Sequence, residues 1–176
     1  LSEETSKEKT FQGSHYKKDW CWILDPLDGT KDFLQGSKNY AVHIALAYKQ
    51  KPKIGVVLIP ERNELWVGII GGGAWYENRD GHKKQISFSD RIDISELILV
   101  SSKNHQQSKL LKLLSSLSFA ETKRIGSVGC KVASILRGEA DVYISLSGKT
   151  SPKDWDMAAP HALISAAGGM FSHADG

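Results

Sequence analysis

Trp20-Cys21-Trp22-Ile23-Leu24 runs directly into Asp25-Pro26-Leu27-Asp28-Gly29-Thr30. The apolar run has the length of a buried strand. The hexapeptide behind it is dense in turn residues. Two carboxylates three residues apart therefore leave the end of a strand, with Pro26 fixing the backbone between them. Gly29 allows close backbone approach, and Thr30 adds a hydroxyl. Carboxylates, a carbonyl and water form the hard-oxygen set that suits Mg²⁺. The N–H groups of Gly29 and Thr30 would also hold an anion if a helical turn begins there. The competing reading is a strand-end turn with Asp28 capping a helix. The hexapeptide alone leaves both open.

Outward from this stretch, residues 40–48 (YAVHIALAY) and 54–59 (IGVVLI) are rich in β-branched and aromatic residues, with Pro52 between them. They read as an antiparallel pair. Residues 64–70 (ELWVGII) form a third strand and residues 73–76 a fourth, so the first half is sheet-rich with short connections. Residues 1–18 are polar and read as loop. The second half changes character. Residues 97–100 (LILV) are a strand, and residues 107–117 place leucines at 110, 111, 113, 114 and 117, which is helical spacing. Residues 130–137 read as a helix, 140–144 as a strand, and 155–167 as a helix ended by Gly168-Gly169. Pro160 is placed near that helix's start, where N–H groups lack intrahelical partners. Strands alternating with helices predict an α/β lobe. The boundary falls near residues 88–96, giving a sheet-rich lobe over 1–92 and an α/β lobe over 93–176.

Composition narrows the function classes. In 176 residues, 40% are apolar and 24% charged, with Gly 16 and Pro 5. These are globular values, which exclude a collagenous, low-complexity or disordered chain. The net charge of +3 is too small to argue for a nucleic-acid polymer as partner. No apolar run approaches the roughly 18 residues of a membrane span, and no signal peptide is evident. Cys21 and Cys130 make no disulfide framework, so a reduced, cytoplasmic setting is expected. The chain opens at Leu1 without an initiator methionine and stops at Gly176 just after a strand-like segment, which reads as a piece cut at both ends.

Two further signals stand apart from the hexapeptide. Lys153-Asp154-Trp155-Asp156-Met157-Ala158-Ala159, followed by Ala166-Ala167-Gly168-Gly169, puts Asp156 at a helix start. A carboxylate there meets the helix dipole favourably, so capping alone would explain it. Ala158, Ala159, Ala162 and Ala166 read as a close-packing stripe. Leu1-Ser2-Glu3-Glu4 carries two adjacent acids, which a solvated charge pair explains equally well.

Taken together and in this order, DPLDGT after an apolar strand, WDMAAP…AAGG, and an upstream SEE resemble the three motifs of the inositol monophosphatase superfamily. Its members are Mg²⁺-dependent, lithium-sensitive phosphomonoesterases. The resemblance covers essentially the whole chain. It implies a layered α-β-α-β-α sandwich of mixed α+β and α/β character, with opening helices before Leu1 and a closing strand and helix beyond Gly176. It implies two or three Mg²⁺ ions held by Glu3, Asp25, the Leu27 carbonyl, Asp28 and Asp156. Thr30 is implied to orient and deprotonate the attacking water, its acidic partner lying before Leu1. The Gly29 and Thr30 N–H groups would cradle the phosphate. A homodimer is implied as a frequent assembly, with no interface located.

Four features resemble the CysQ-type branch, which removes the 3′-phosphate of 3′-phosphoadenosine 5′-phosphate, a by-product of sulfate assimilation. The segment LDPLDGTKDF places an acid before the aromatic. Ser101-Ser102-Lys103-Asn104-His105 resembles an S-x-S-H segment, with Asn104 replacing a serine and His105 meeting the nucleotide. Gly126-Ser127-Val128-Gly129-Cys130-Lys131 resembles a G-S-x-G-x-K loop that opens a helix, implying Ser127 and Lys131 as substrate contacts and placing Lys131 for a second phosphate. Lys149 stands where inositol phosphatases carry a substrate-binding glutamate. Each residue also has an ordinary reading: a loop histidine, a solvated helix lysine, a charged loop. Cys130 beside Lys131 reads as a small buried helix residue rather than a reactive thiol. The rival readings are the same chemistry on inositol monophosphate or fructose 1,6-bisphosphate, and a non-catalytic nucleotide or metal binder.

Overall fold

The computed structural model describes residues 19–86, 88–103, 114, 116–145 and 152–173. Six strands form one antiparallel sheet in sequence order: β1 (Trp20–Asp28), β2 (Ala41–Tyr48), β3 (Lys51–Ile59), β4 (Glu64–Ile69), β5 (Gly73–Asn78) and β6 (Lys83–Gln85). A short helix, α1 (Thr30–Leu34), follows β1 directly. The second sheet has three parallel strands in the order β8-β7-β9: β7 (Ile98–Ser102), β8 (Glu121–Ile125) and β9 (Val142–Tyr143). Helix α2 (Val128–Leu136) lies between β8 and β9, and α3 (Asp154–Ala166) follows β9. This is a mixed α+β arrangement. Among the described residues, no helix is long and apolar enough to cross a membrane.

Alternation along the strands decides which face is inside. On β2, Ala41, His43, Ala45 and Ala47 are buried while Val42, Ile44, Leu46 and Tyr48 point the other way. Val57 and Ile59 on β3 and Trp66 on β4 continue the inner face. Helices α2 and α3 cover it, and together they supply Val132, Leu136, Leu163 and Ile164 to one core. Each such aliphatic side chain contributes about 1.5–3 kcal/mol by burial. The outer face is apolar too, but Trp20 and Trp22 are 55% and 56% exposed.

The small residues have a definite purpose. Gly55 and Gly68 face each other across β3 and β4. A Cβ on Gly55 would lie 2.3 Å from the Ala159 carbonyl oxygen, and one on Gly68 would lie 2.6 Å from Leu163 Cα. The alanine stripe of α3 thus rests almost on the sheet backbone, as expected for a close-packing stripe.

Several boundaries differ from the sequence reading. Pro52 lies inside β3, opposite Ala47, beside a register shift where its missing N–H breaks no regular ladder. The turn before it uses Lys49 and Gln50, both at positive φ. Strands β6 and β8 are additional; KKQ and ETKRI carry too little apolar periodicity to announce a strand. Pro160 sits inside α3 rather than in its first turn. It is fully buried, so packing against the sheet outweighs the lost helical hydrogen bond. Of the leucine-rich stretch 107–117, residues 107–113 and 115 lie outside the described residues.

Candidate metal and phosphate site

β1 ends with Asp25 and Asp28 on the inner side, 1% and 6% exposed. The regular pairing with β2 breaks between these two residues. Within the break, Asp25 Oδ1 accepts a hydrogen bond of 3.0 Å from the Leu27 N–H. Gly29 then turns the chain at φ 90° into α1. A Cβ there would lie 2.8 Å from the Asn39 carbonyl oxygen, so glycine is required for both conformation and space. The Thr30 hydroxyl donates to the Leu27 carbonyl at 3.0 Å.

Asp156 reaches the same place from the first turn of α3. Ligand oxygens of Asp25, Asp28 and Asp156 all lie within 4.8 Å of one another. Asp156 also accepts from the Lys153 N–H at 2.6 Å, so it caps its helix and joins the cluster at once. The two readings the sequence left open are compatible.

The electrostatics follow from crowding. Burial, then the charge of Asp28, pushes the Asp25 carboxyl up to about 7 against the pull of His43. Burial alone would raise Asp28. The charge and contact of His43, with hydrogen bonds from Ser127 and Gly129, outweigh it and hold Asp28 at about 2. Burial, chiefly, raises Asp156. Three carboxylates so placed repel one another, and a hard divalent cation relieves that repulsion. The donor set fits a hard divalent cation.

A cavity of about 250 Å³ opens beside this cluster. Asp28, Gly29, Thr30, Ser127, Lys131 and Asp156 line it, joined by Asp32, Ser102 and Tyr143. Ser127 caps α2, its Oγ accepting from the Cys130 N–H at 3.1 Å while donating to Asp28 Oδ2 at 2.5 Å. Lys131 is 2% exposed. Its ammonium donates to the Ser127 carbonyl at 2.8 Å and the Ile125 carbonyl at 3.4 Å, and lies over the Tyr143 ring. Burial, as the largest effect, lowers its pKa. The lysine therefore borders the cavity without being the solvated helix lysine of the ordinary reading. Cys130 is buried, and burial pushes its thiol up to about 11, as a packing residue requires.

The cavity brings together Gly29, Thr30, Ser127, Lys131 and Asp156, and the adjoining cluster adds Asp25 and Asp28. Glu3, His105 and Lys149 lie outside the described residues. His43 escaped the sequence reading, and Asp32 entered it only as the acid before Phe33. His43 is a lone histidine at an inward position of the alternating β2 pattern, and that phase was its signal. Asp32 is buried, with Lys103 Nζ 3.7 Å from its Oδ1. A Cβ on Gly126 would fall 2.1 Å from Asp32 Oδ2, so Gly126 is glycine to admit that carboxylate.

The sequence model of the inositol monophosphatase family matches residues 1–176. The 3′(2′),5′-bisphosphate nucleotidase CysQ of Escherichia coli strain K12 is 37% identical over 147 residues, covering 84% of this chain and 56% of that protein. The Nus factor SuhB of Pasteurella multocida is 27% identical over 161 residues, covering 88% and 57%. Among solved structures, CysQ from Bacteroides thetaiotaomicron superimposes with a TM-score of 0.77 at 28% identity, covering 96% of this chain and 65% of that one. The chain thus spans a little over half the length of the curated relatives it matches.

Proposed function

As this chain belongs to the inositol monophosphatase family, we propose that it carries the metal site of a Mg²⁺-dependent phosphomonoesterase acting on 3′-phosphoadenosine 5′-phosphate. The observation that carries the reading is the convergence of Asp25, Asp28 and Asp156 beside a cavity walled by Ser127 and Lys131. Asp25, Asp28, Asp156 and the Leu27 carbonyl would hold the ions, with Glu3 as a further ligand. When bound, the metal cancels phosphate charge, lowers the pKa of a water and steadies the leaving oxygen. The Thr30 hydroxyl donates to the Leu27 carbonyl, which leaves its oxygen lone pairs to accept a hydrogen bond from the attacking water and aim it. The Gly29 and Thr30 amides cradle the phosphate. Lys131 gives the cavity wall a positive charge, suited to a substrate with a second phosphate, and His105 and Lys149 complete that recognition. The products are AMP and inorganic phosphate. A reduced, cytoplasmic setting is in keeping with two free thiols, Cys21 and Cys130.

A second reading has its own observation. The Lys131 ammonium is already engaged by two carbonyls, which favours a sugar monophosphate with the same metal chemistry. The experiment is Mg²⁺-dependent phosphate release by a protein carrying this chain at the full length of its relatives. 3′-Phosphoadenosine 5′-phosphate, inositol 1-phosphate and fructose 1,6-bisphosphate are compared, with Asp25→Asn as control. Preference for the nucleotide, lost in the control, supports the proposal. Preference for a sugar phosphate moves the substrate and keeps the metal site. No release from any of the three overturns both readings.

A further inference from the structure

His43 is 1% exposed, in the middle of β2, directly across from Asp25 in the strand register. Its Nε2 lies 3.2 Å from Asp28 Oδ2. The same oxygen accepts from Ser127 Oγ at 2.5 Å and from the Gly129 N–H at 3.0 Å. A carboxylate oxygen has room for about two good donors. Oδ2 is therefore taken up by protein groups from β2 and α2, and Oδ1 is the oxygen left to face a cation.

The imidazole has a further neighbour. The Trp155 carbonyl acts on it from the first turn of α3, the turn that carries Asp156. Neither ring nitrogen makes a well-aligned hydrogen bond, so the ring serves as a buried spacer with electrostatic contacts to both sides. The space is cut for it: a Cβ on Gly129 would fall 2.3 Å from His43 Nε2. Gly129 is thus glycine because of the imidazole, although its sequence context presents it only as part of a loop opening a helix.

We propose that His43 is a positioning residue of the metal site, holding Asp28 in the orientation that offers Oδ1 alone and setting the spacing between Asp28 and Asp156. This requires only the presence of the ring beside Oδ2. The inference rests on the metal reading above. Residues that orient a ligand typically govern metal affinity by about 10–100-fold.

The test is Mn²⁺ binding followed by electron paramagnetic resonance, with no substrate and no turnover. Wild type, His43→Ala, His43→Gln and Gly129→Ala are compared, with folding checked by circular dichroism. His43→Ala is expected to bind Mn²⁺ about 10–100-fold more weakly. His43→Gln, whose amide nitrogen falls close to the Nε2 position, is expected to restore binding close to wild type. Gly129→Ala, which keeps the ring but drives it off Asp28, is expected to weaken binding as His43→Ala does. This variant carries the test if His43→Ala does not fold. Wild-type Mn²⁺ affinity in a folded His43→Ala or Gly129→Ala protein overturns the proposal, as does a His43→Gln protein no better than His43→Ala. If wild type itself binds no Mn²⁺, the metal reading fails and takes this inference with it.

Discussion

Replacing Gly55 with alanine puts one methyl group between the sheet and α3. That carbon would sit 2.3 Å from the Ala159 carbonyl oxygen and 2.9 Å from Ala162 Cβ. Ordinary contact begins near 3.4 Å, so helix and sheet must part by about 1 Å. Neither partner is the free end of a flexible side chain, and the contact cannot relax locally. Overpacking of this kind costs roughly 1–3 kcal/mol. In a chain of this length it lowers Tm by about 2–4 °C per kcal/mol. The same movement carries Asp156, at the N-terminal end of α3, away from Asp25 and Asp28. Metal–ligand distances tolerate only about 0.2 Å, so Mn²⁺ affinity should fall at least tenfold, in line with other losses of ligand placement. Differential scanning calorimetry reads the first effect and isothermal titration with Mn²⁺ the second. An unchanged Tm would refute the close seat of the helix. A lowered Tm with unchanged Mn²⁺ affinity would refute the coupling between that seat and the site.

Three other predictions concern groups away from the cluster. Asp141 accepts hydrogen bonds from Arg91 Nε at 2.8 Å and the Ile98 N–H at 2.7 Å, and one from Ser89, tying the segment before β7 to that before β9. Burial raises its pKa, but hydrogen bonds from Arg91, Ile98 and Ser89 outweigh it and leave it below its ordinary value. A depressed carboxylate stabilises the fold above its unfolded pKa and stops doing so as pH falls through the folded one. Asp141→Asn should thus lower the denaturant midpoint at neutral pH, with the gap to wild type closing below about pH 4; a gap independent of pH would contradict the assignment. Arg137 forks between Glu64 at 2.7 Å and Glu139 at 2.9 Å beside Trp66. Arg137→Ala should cost about 1–3 kcal/mol in urea unfolding, and Arg137→Lys should recover only part of it. Cys130 should resist Ellman's reagent at neutral pH until denaturant is added, whereas the partly exposed Cys21 reacts in the native protein; two equally fast thiols would contradict the burial of Cys130.

Much of the site was legible along the chain. Asp25, Asp28 and Thr30 declare themselves because a strand-end turn packs two acids, a glycine and a hydroxyl into six residues, and local chemistry needs no fold to be seen. By its own residues Asp156 reads as a helix cap, since the energy of capping is local and equally satisfied with or without a metal, and only the family resemblance marked it as a metal ligand. Its place beside Asp25 and Asp28 exists because α3 returns across the sheet on its alanines, and the glycines that admit it, Gly55 and Gly68, lie far from it in sequence. The strands with strong alternation were readable, whereas β6 and β8 were not, because their pairing is set by neighbours rather than by their own side chains. Pro160 was misplaced for a similar reason: helix boundaries respond to packing that propensity does not contain. His43 and Gly129 mark the limit most clearly. By itself each reads as a strand histidine and a loop glycine. Only the approach of α2 to β2 makes one the space that the other fills, and that approach is a tertiary event.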